Sequence, residues 1–155
     1  MASFYLVPTP GPTKIRPKAL GDYLEVMTKA VFQSGMSWKV IEAKWDGFRE
    51  AFAGFDAEKV AGFTPEDVDR LAQDTRIVRN RRKIQATVDN AVEMVALDRE
   101  YKGFRNFLRA QDSFDETVAA LKDHFGFVGD TGSYYFLHVV GEKVPSHEAW
   151  MASRG

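Results

Sequence analysis

Phe32-Gln33-Ser34-Gly35-Met36-Ser37-Trp38 separates two apolar stripes, and the fold is read outward from it. Before it, Leu20, Tyr23, Leu24, Met27, Ala30 and Val31 recur at helical spacing; after it, Trp38, Ile41, Trp45, Phe48 and Phe52 repeat at steps of three and four. Two amphipathic helices, expected over 19–34 and 37–53, therefore meet at a sharp corner. Gly35 can take the left-handed conformation that ends the first helix, and Ser37 can accept a bond from the free amides that open the second. The corner aims Trp38 and Gln33 at the space between the helices. An indole beside a carboxamide suits a flat heterocycle, one offering a polarizable face and the other donors and acceptors. The same spacing fits Trp38 equally as the first core residue of its helix.

Upstream of the corner, Pro8, Pro10, Pro12 and Pro17, with Gly11, exclude a helix from residues 1–18, which are expected to lie extended over the surface or hang free. Residues 19–155 read as a single helical domain. Downstream, Asp56 opens a short helix, and Thr64-Pro65-Glu66-Asp67 opens another with a cap, a first-position proline and acids in the first turn. Ile84, Val88, Ala91 and Val95 mark a long helix that ends near Tyr101. A short helical piece follows from Phe104 to Ala110, and Ser113-Phe114-Asp115-Glu116 is a capping box for a helix through His124. Gly126, Gly129 and Gly132 then interrupt the chain before a helical run over 133–140 that Gly141 ends. No alternating pattern longer than four residues occurs, so the fold class is all-α.

The chain has 155 residues, 45% of them hydrophobic and 28% charged, as expected of one globular domain with a real core. No run of eighteen apolar residues and no signal-peptide layout is present, which points to the cytoplasm. The absence of cysteine removes disulfides, thiolate metal sites and cysteine nucleophiles. His124, His138 and His147 lack the close pairing of a zinc motif, so neither a metal nor a cofactor is expected.

The net charge of −1 hides a local cluster: Arg76, Arg79, Arg81, Arg82 and Lys83 fall within eight positions. Such a cluster either holds phosphate or is a solvated helix face. Cations at the start of a helix oppose its dipole, which favours a role outside the helix itself. The glycine-rich segment Phe125-Gly126-Phe127-Val128-Gly129 offers backbone amides to a phosphate, helped by the helix that follows. A hairpin of this kind reads duplex backbone rather than sequence.

Gln33-Ser34-Gly35-Met36-Ser37-Trp38, Phe48-Arg49-Glu50-Ala51-Phe52, Phe55-Asp56-Ala57-Glu58-Lys59-Val60-Ala61, Glu66-Asp67-Val68, Ile77-Val78-Arg79-Asn80-Arg81-Arg82-Lys83-Ile84-Gln85-Ala86 and Asn90-Ala91 resemble, in order, successive blocks of the DNA-3-methyladenine glycosylase I family. The segment Phe125-Gly126-Phe127-Val128-Gly129 is similar to that family's hairpin. The resemblance covers more than half the chain. It implies a helix-hairpin-helix glycosylase fold, two helical lobes with a base pocket between them. It also implies base-excision repair as a hydrolase: double-stranded DNA with an alkylated base as partner, and release of a 3-methyladenine-type purine by hydrolysis of the N-glycosidic bond. A monomer is expected.

On that resemblance the base-binding pocket is assigned to Trp38, Gln33, Tyr23 and Ala30. DNA binding is assigned to Gly126, Gly129, Thr131, Arg79, Arg81, Arg82 and Lys83. No catalytic residue is assigned. The chain departs from the family at several points. The family's zinc, held by two cysteines and two histidines near the termini, has only His147 to receive it. Its aromatic N-terminal segment is replaced by Pro-rich sequence, and its base-reading glutamate falls at Ala30. Asp22, Glu25 and Glu42 are the carboxylates that could substitute. The aspartate common beyond the hairpin in the wider superfamily is replaced by Pro145-Ser146-His147, with Glu142 and Glu148 nearby. A DNA-binding or damage-sensing module without catalysis is the alternative reading.

Overall fold

A computed structural model describes residues 13–154, and among them there is no strand. Residues 1–12 of the Pro-rich segment expected over 1–18 lie outside the described residues. Residues 13–18 form no helix, and the Ile15 amide donates to the Val139 carbonyl at 2.8 Å, which ties the segment to the core. Ten helices follow: α1 (Leu20–Gln33), α2 (Trp38–Ala43), α3 (Trp45–Ala51), α4 (Ala57–Ala61), α5 (Pro65–Leu71), α6 (Arg81–Tyr101), α7 (Phe104–Leu108), α8 (Phe114–His124), α9 (Asp130–Val139) and α10 (His147–Arg154). A 3₁₀ turn, Ala53–Phe55, joins α3 to α4.

The spine is α6. Its apolar residues Ile84, Val88, Ala91, Met94 and Leu97 are buried, and it packs against α1, α4, α5 and α7. Helix α1 crosses it and also packs on α9, so both expected functional segments hang from these two helices. The local signals hold where they are short-range. Asp56 accepts from the Lys59 amide, and Thr64 and Asp67 form a reciprocal box with Pro65 at the first position. Ser113 accepts from the Glu116 amide. Asn80, not anticipated, caps α6 by accepting from the Lys83 amide at 3.1 Å.

Three expectations are corrected. The second helix is not continuous over 37–53: it breaks at Lys44 (φ −101°, ψ 3°) into α2 and α3. The break coincides with Trp45 stacking on Phe48 and Phe55, at centroid distances of 4.8 and 5.4 Å, so aromatic packing outweighs helix continuity there. Ser37 occupies the cap position of α2 but makes no side-chain cap bond. Helix α9 begins at Asp130 rather than 133, because Gly132 sits inside its first turn, where glycine is tolerated at modest cost.

Helix α10 was not foreseen. Its local signal was present: the Ser146 hydroxyl accepts from the Ala149 amide at 3.1 Å. Its anchor is Trp150, buried against Phe114 and Tyr134 at 6.0 and 4.9 Å.

Candidate functional site

The corner forms as the sequence implies. Helix α1 ends at Gln33, Gly35 takes φ +75°, and the Met36 amide bonds the Gln33 carbonyl at 3.0 Å. What fixes the corner, however, is Lys83. Its side chain is 6% exposed, and its ammonium donates to the Phe32 carbonyl at 3.3 Å and to the Ser34 carbonyl. A cation at a helix C-terminus satisfies orphan carbonyls and favours the dipole. Lys83 is therefore withdrawn from the exposed cluster to which the sequence assigned it.

Beyond the corner Trp38 is half-buried, with its ring edge-on to Tyr135 at 6.0 Å, and Gln33 beside it is half-buried too. Tyr135 is fully in the core; burial, with the charges of Glu25 and Glu42, pushes its phenol well above the usual tyrosine range. Ala30 is 2% exposed and packs against the first turn of α9, where a Cβ on Gly132 would lie 3.5 Å from its own. Tyr23 is a core residue two helical turns from Ala30, edge-on to Phe104 at 5.2 Å and near Phe136 at 6.2 Å. The four residues assigned to one pocket thus divide: Trp38 and Gln33 stand at the corner, while Ala30 and Tyr23 lie in the α1–α9 contact.

The three substitute carboxylates also divide. Asp22 accepts from the Lys18 and Ala19 amides at 2.7 and 3.2 Å and so serves the start of α1. Glu25 bridges α1 to α3, its Oε2 accepting from Trp45 Nε1 and Arg49 Nε, both at 2.8 Å. Glu42 is exposed one turn beyond Trp38 on α2, and its charge reaches both Tyr135 and Lys29. Glu142 is taken by Arg109, with bonds of 3.0 and 3.2 Å.

The basic cluster and the hairpin do meet. A groove of about 560 Å³ runs between α6 and the hairpin, lined among others by Arg81, Arg82, Gln85, His124 and Phe127. Arg82 lies 5.8 Å from the centre of the Phe127 ring, and Phe127 is 40% exposed with φ +60°, a conformation costly for a large side chain. Arg79, Arg81 and Arg82 are exposed; Arg81 pairs with Asp69 at 2.7 Å, whereas Arg79 and Arg82 have no carboxylate partner among the described residues.

Asn90, buried in α6, clamps the hairpin: its Oδ1 accepts from the Gly126 amide at 2.8 Å and its Nδ2 donates to the Gly126 carbonyl at 3.1 Å. The Gly126 amide is thereby used inside the protein. Gly129 and Thr131 are exposed at the start of α9, where Asp130 is neutralised by Lys122 at 2.8 Å and by Arg154 at 3.8 Å.

The zinc that the resemblance implies does not fit these residues. His147 stands edge-on to Tyr134 at 5.4 Å, the chain has no cysteine, and no group of three metal-ligating side chains occurs among the described residues. At the C-terminal end the nest of Phe114, Tyr134 and Trp150 anchors α10 instead.

Residues 21–124 match the profile of the methyladenine glycosylase family. The chain belongs to that family. It is 31% identical to a DNA-3-methyladenine glycosylase of Haemophilus influenzae and 32% identical to DNA-3-methyladenine glycosylase 1 of Escherichia coli K12, over 70% of each chain. The fold is similar to that of 3-methyladenine DNA glycosylase I from Staphylococcus aureus, with a TM-score of 0.74 at 25% identity over 83% of this chain and 80% of that one. A tyrosine-to-phenylalanine variant of 3-methyladenine DNA glycosylase I, solved in complex with 3-methyladenine, aligns with the same TM-score and identity over 83% and 81%. The family excises alkylated bases in base-excision repair, and the all-helical architecture is that of its solved members. Among the described residues no helix is long and apolar enough to cross a membrane.

Proposed function

We propose that the chain is a DNA N-glycosylase that extrudes an alkylated purine, stacks it on Trp38 and hydrolyses its bond to C1′. The observation that carries this reading is the half-buried indole held at a rigid corner beside Gln33 and Tyr135. An N3-alkylated purine is cationic and already a good leaving group, so the site must mainly extrude the base, give it an aromatic face and admit water. Arg79, Arg81 and Arg82, with the amides at the start of α9, hold the duplex backbone. The chain acts as a monomer in the cytoplasm.

The test is release of free base from alkylated duplex DNA by the wild type and by Trp38→Ala. The variant is expected to lose about 1–3 kcal/mol of base binding, roughly five- to a hundredfold or more in affinity, while its urea midpoint moves little. Marked destabilisation, with no base binding by the wild type, would assign Trp38 to the core and remove the reading. One observation favours the alternative, a DNA-binding module without catalysis: Ala30 and Gly132 close the α1–α9 contact where the family places its base-reading glutamate. Ala30→Glu is accordingly expected to strain that contact rather than simply restore the carboxylate.

A further inference from the structure

Where the implied zinc does not fit, side chains close the C-terminal end. Trp150 on α10 is 3% exposed, its ring 6.0 Å from that of Phe114, the first residue of α8, and 4.9 Å from that of Tyr134 on α9. Its Nε1 finds no hydrogen-bond partner among the described residues, so ring packing is what holds it. One further tie seats the helix: the Tyr134 hydroxyl donates to the Pro145 carbonyl, just ahead of α10, at 2.6 Å.

Seated in this way, α10 brings Arg154 to the hairpin. The guanidinium lies 4.5 Å from the centre of the Trp150 ring and pairs with Asp115 at 3.5 Å and with Asp130 at 3.8 Å. Those carboxylates stand in the first turns of α8 and α9, the two helices that flank the hairpin. Lys122, in the last turn of α8, also reaches Asp130, at 2.8 Å. Asn90 therefore holds the Gly126 side of the turn from α6, while the Gly129 side is held from α8 and α10. Long, part-exposed ion pairs are individually weak, so the reach of Arg154 depends on the buried indole that seats its helix.

We propose that α10 is a metal-free clasp that positions the start of α9 for the phosphate backbone, with Trp150 and Arg154 as its positioning residues. The proposal rests on the glycosylase reading, since the amides it orders are those assigned to the duplex. Because the indole Nε1 makes no bond, the clasp needs a ring at position 150 rather than an indole in particular.

The experiment measures hydrogen exchange over 125–139 and along α6 in the full chain, with and without EDTA, and affinity for an undamaged duplex. The reporter is the Ser133 amide, which donates to the Gly129 carbonyl at 2.8 Å. In Trp150→Ala it is expected to exchange about tenfold faster or more while the α6 amides keep their protection, and duplex affinity is expected to fall about three- to tenfold. Trp150→Phe is expected to restore both, Arg154→Gln to show a smaller form of the same change, and EDTA to leave the wild type unaltered. Unchanged exchange at Ser133 in Trp150→Ala would overturn the clasp and leave the glycosylase reading standing. Loss of protection throughout α6 would make Trp150 an ordinary core residue, and loosening of the wild type by EDTA would return the closure to a metal; either result overturns the clasp. Faster exchange at Ser133 with unaltered duplex affinity would overturn the positioning role. Absence of duplex binding by the wild type would remove the glycosylase reading and that role together, while the exchange pattern would still decide the clasp.

Discussion

Two turns carry the candidate site, and α6 holds both of them by different chemistry. The Gly35 corner is latched by a buried charge, the Lys83 ammonium on the carbonyls that end α1. The hairpin is latched by a neutral amide, Asn90, which meets one donor and one acceptor of Gly126. The two residues lie seven positions apart, so they fall on one face of α6 with Thr87 between them, whose hydroxyl is spent locally on the Lys83 carbonyl. The cation answers a helix end, where the exposed groups are all acceptors. The amide answers a turn, where donor and acceptor alternate. One rigid helix thus sets the spacing between the Gly35 corner and the hairpin.

The largest effect should come from breaking the charged latch. Lys83→Met keeps much of the aliphatic stem but strands the Phe32 and Ser34 carbonyls, and is expected to cost about 2–4 kcal/mol in urea unfolding. A loss well under about 1 kcal/mol would mean that water replaces the ammonium and the latch is dispensable. Asn90→Ala should cost less, about 1–3 kcal/mol, because the Gly126 groups it leaves lie nearer to solvent. Hydrogen exchange at Gly126 is the sharper readout: its amide should lose protection in the variant, and unchanged protection would show that the hairpin holds itself.

Short-range order was legible in the sequence, and long-range order was not. The Gly35 corner, the Thr64 box and the course of α6 follow from residues within a turn of one another. Lys83 was read as a surface cation because its partner Ser34 lies 49 residues away, and Asn90 went unassigned because Gly126 lies 36 residues away. A trace of both was nevertheless present. Lys83, Thr87, Asn90 and Met94, at steps of four, three and four, run beside the apolar stripe of Ile84, Val88 and Ala91, and a polar residue in such a row is buried and therefore bonded. The break at Lys44 had no such trace, since it depends on how Trp45 stacks on rings brought together only by the fold.

On the proposed function, the difference between buried and exposed cations should also separate adjacent residues in DNA binding. Arg79→Gln and Arg82→Gln should each lower the slope of log affinity against log salt by about one unit, as expected for a lost phosphate contact. Lys83→Met, assayed at a temperature where it remains folded, should leave the slope unchanged. A slope that falls equally in all three would return Lys83 to the phosphate-binding set and overturn its role as a latch.

The smallest effect tests the charge itself, because Lys83 titrates and Asn90 does not. Burial lowers the Lys83 ammonium below the ordinary 10.5 of a lysine, while its two carbonyl bonds favour the charged form. With burial the larger, the folded chain gives up this proton at lower pH than the unfolded chain does. Between the lowered folded value and 10.5 the unfolded state then binds more protons, so stability gains from Lys83 as pH rises and loses that gain as pH falls through the folded value. The urea midpoint of the wild type should therefore draw further ahead of Lys83→Met as pH is raised toward 10.5, whereas the Asn90 side chain, which does not titrate, adds no pH dependence of its own to the gap between wild type and Asn90→Ala. Should the first gap narrow instead, the carbonyls outweigh burial and the ammonium is held above its ordinary value. The latch would then be an ion–dipole clamp whose strength is lost in alkali.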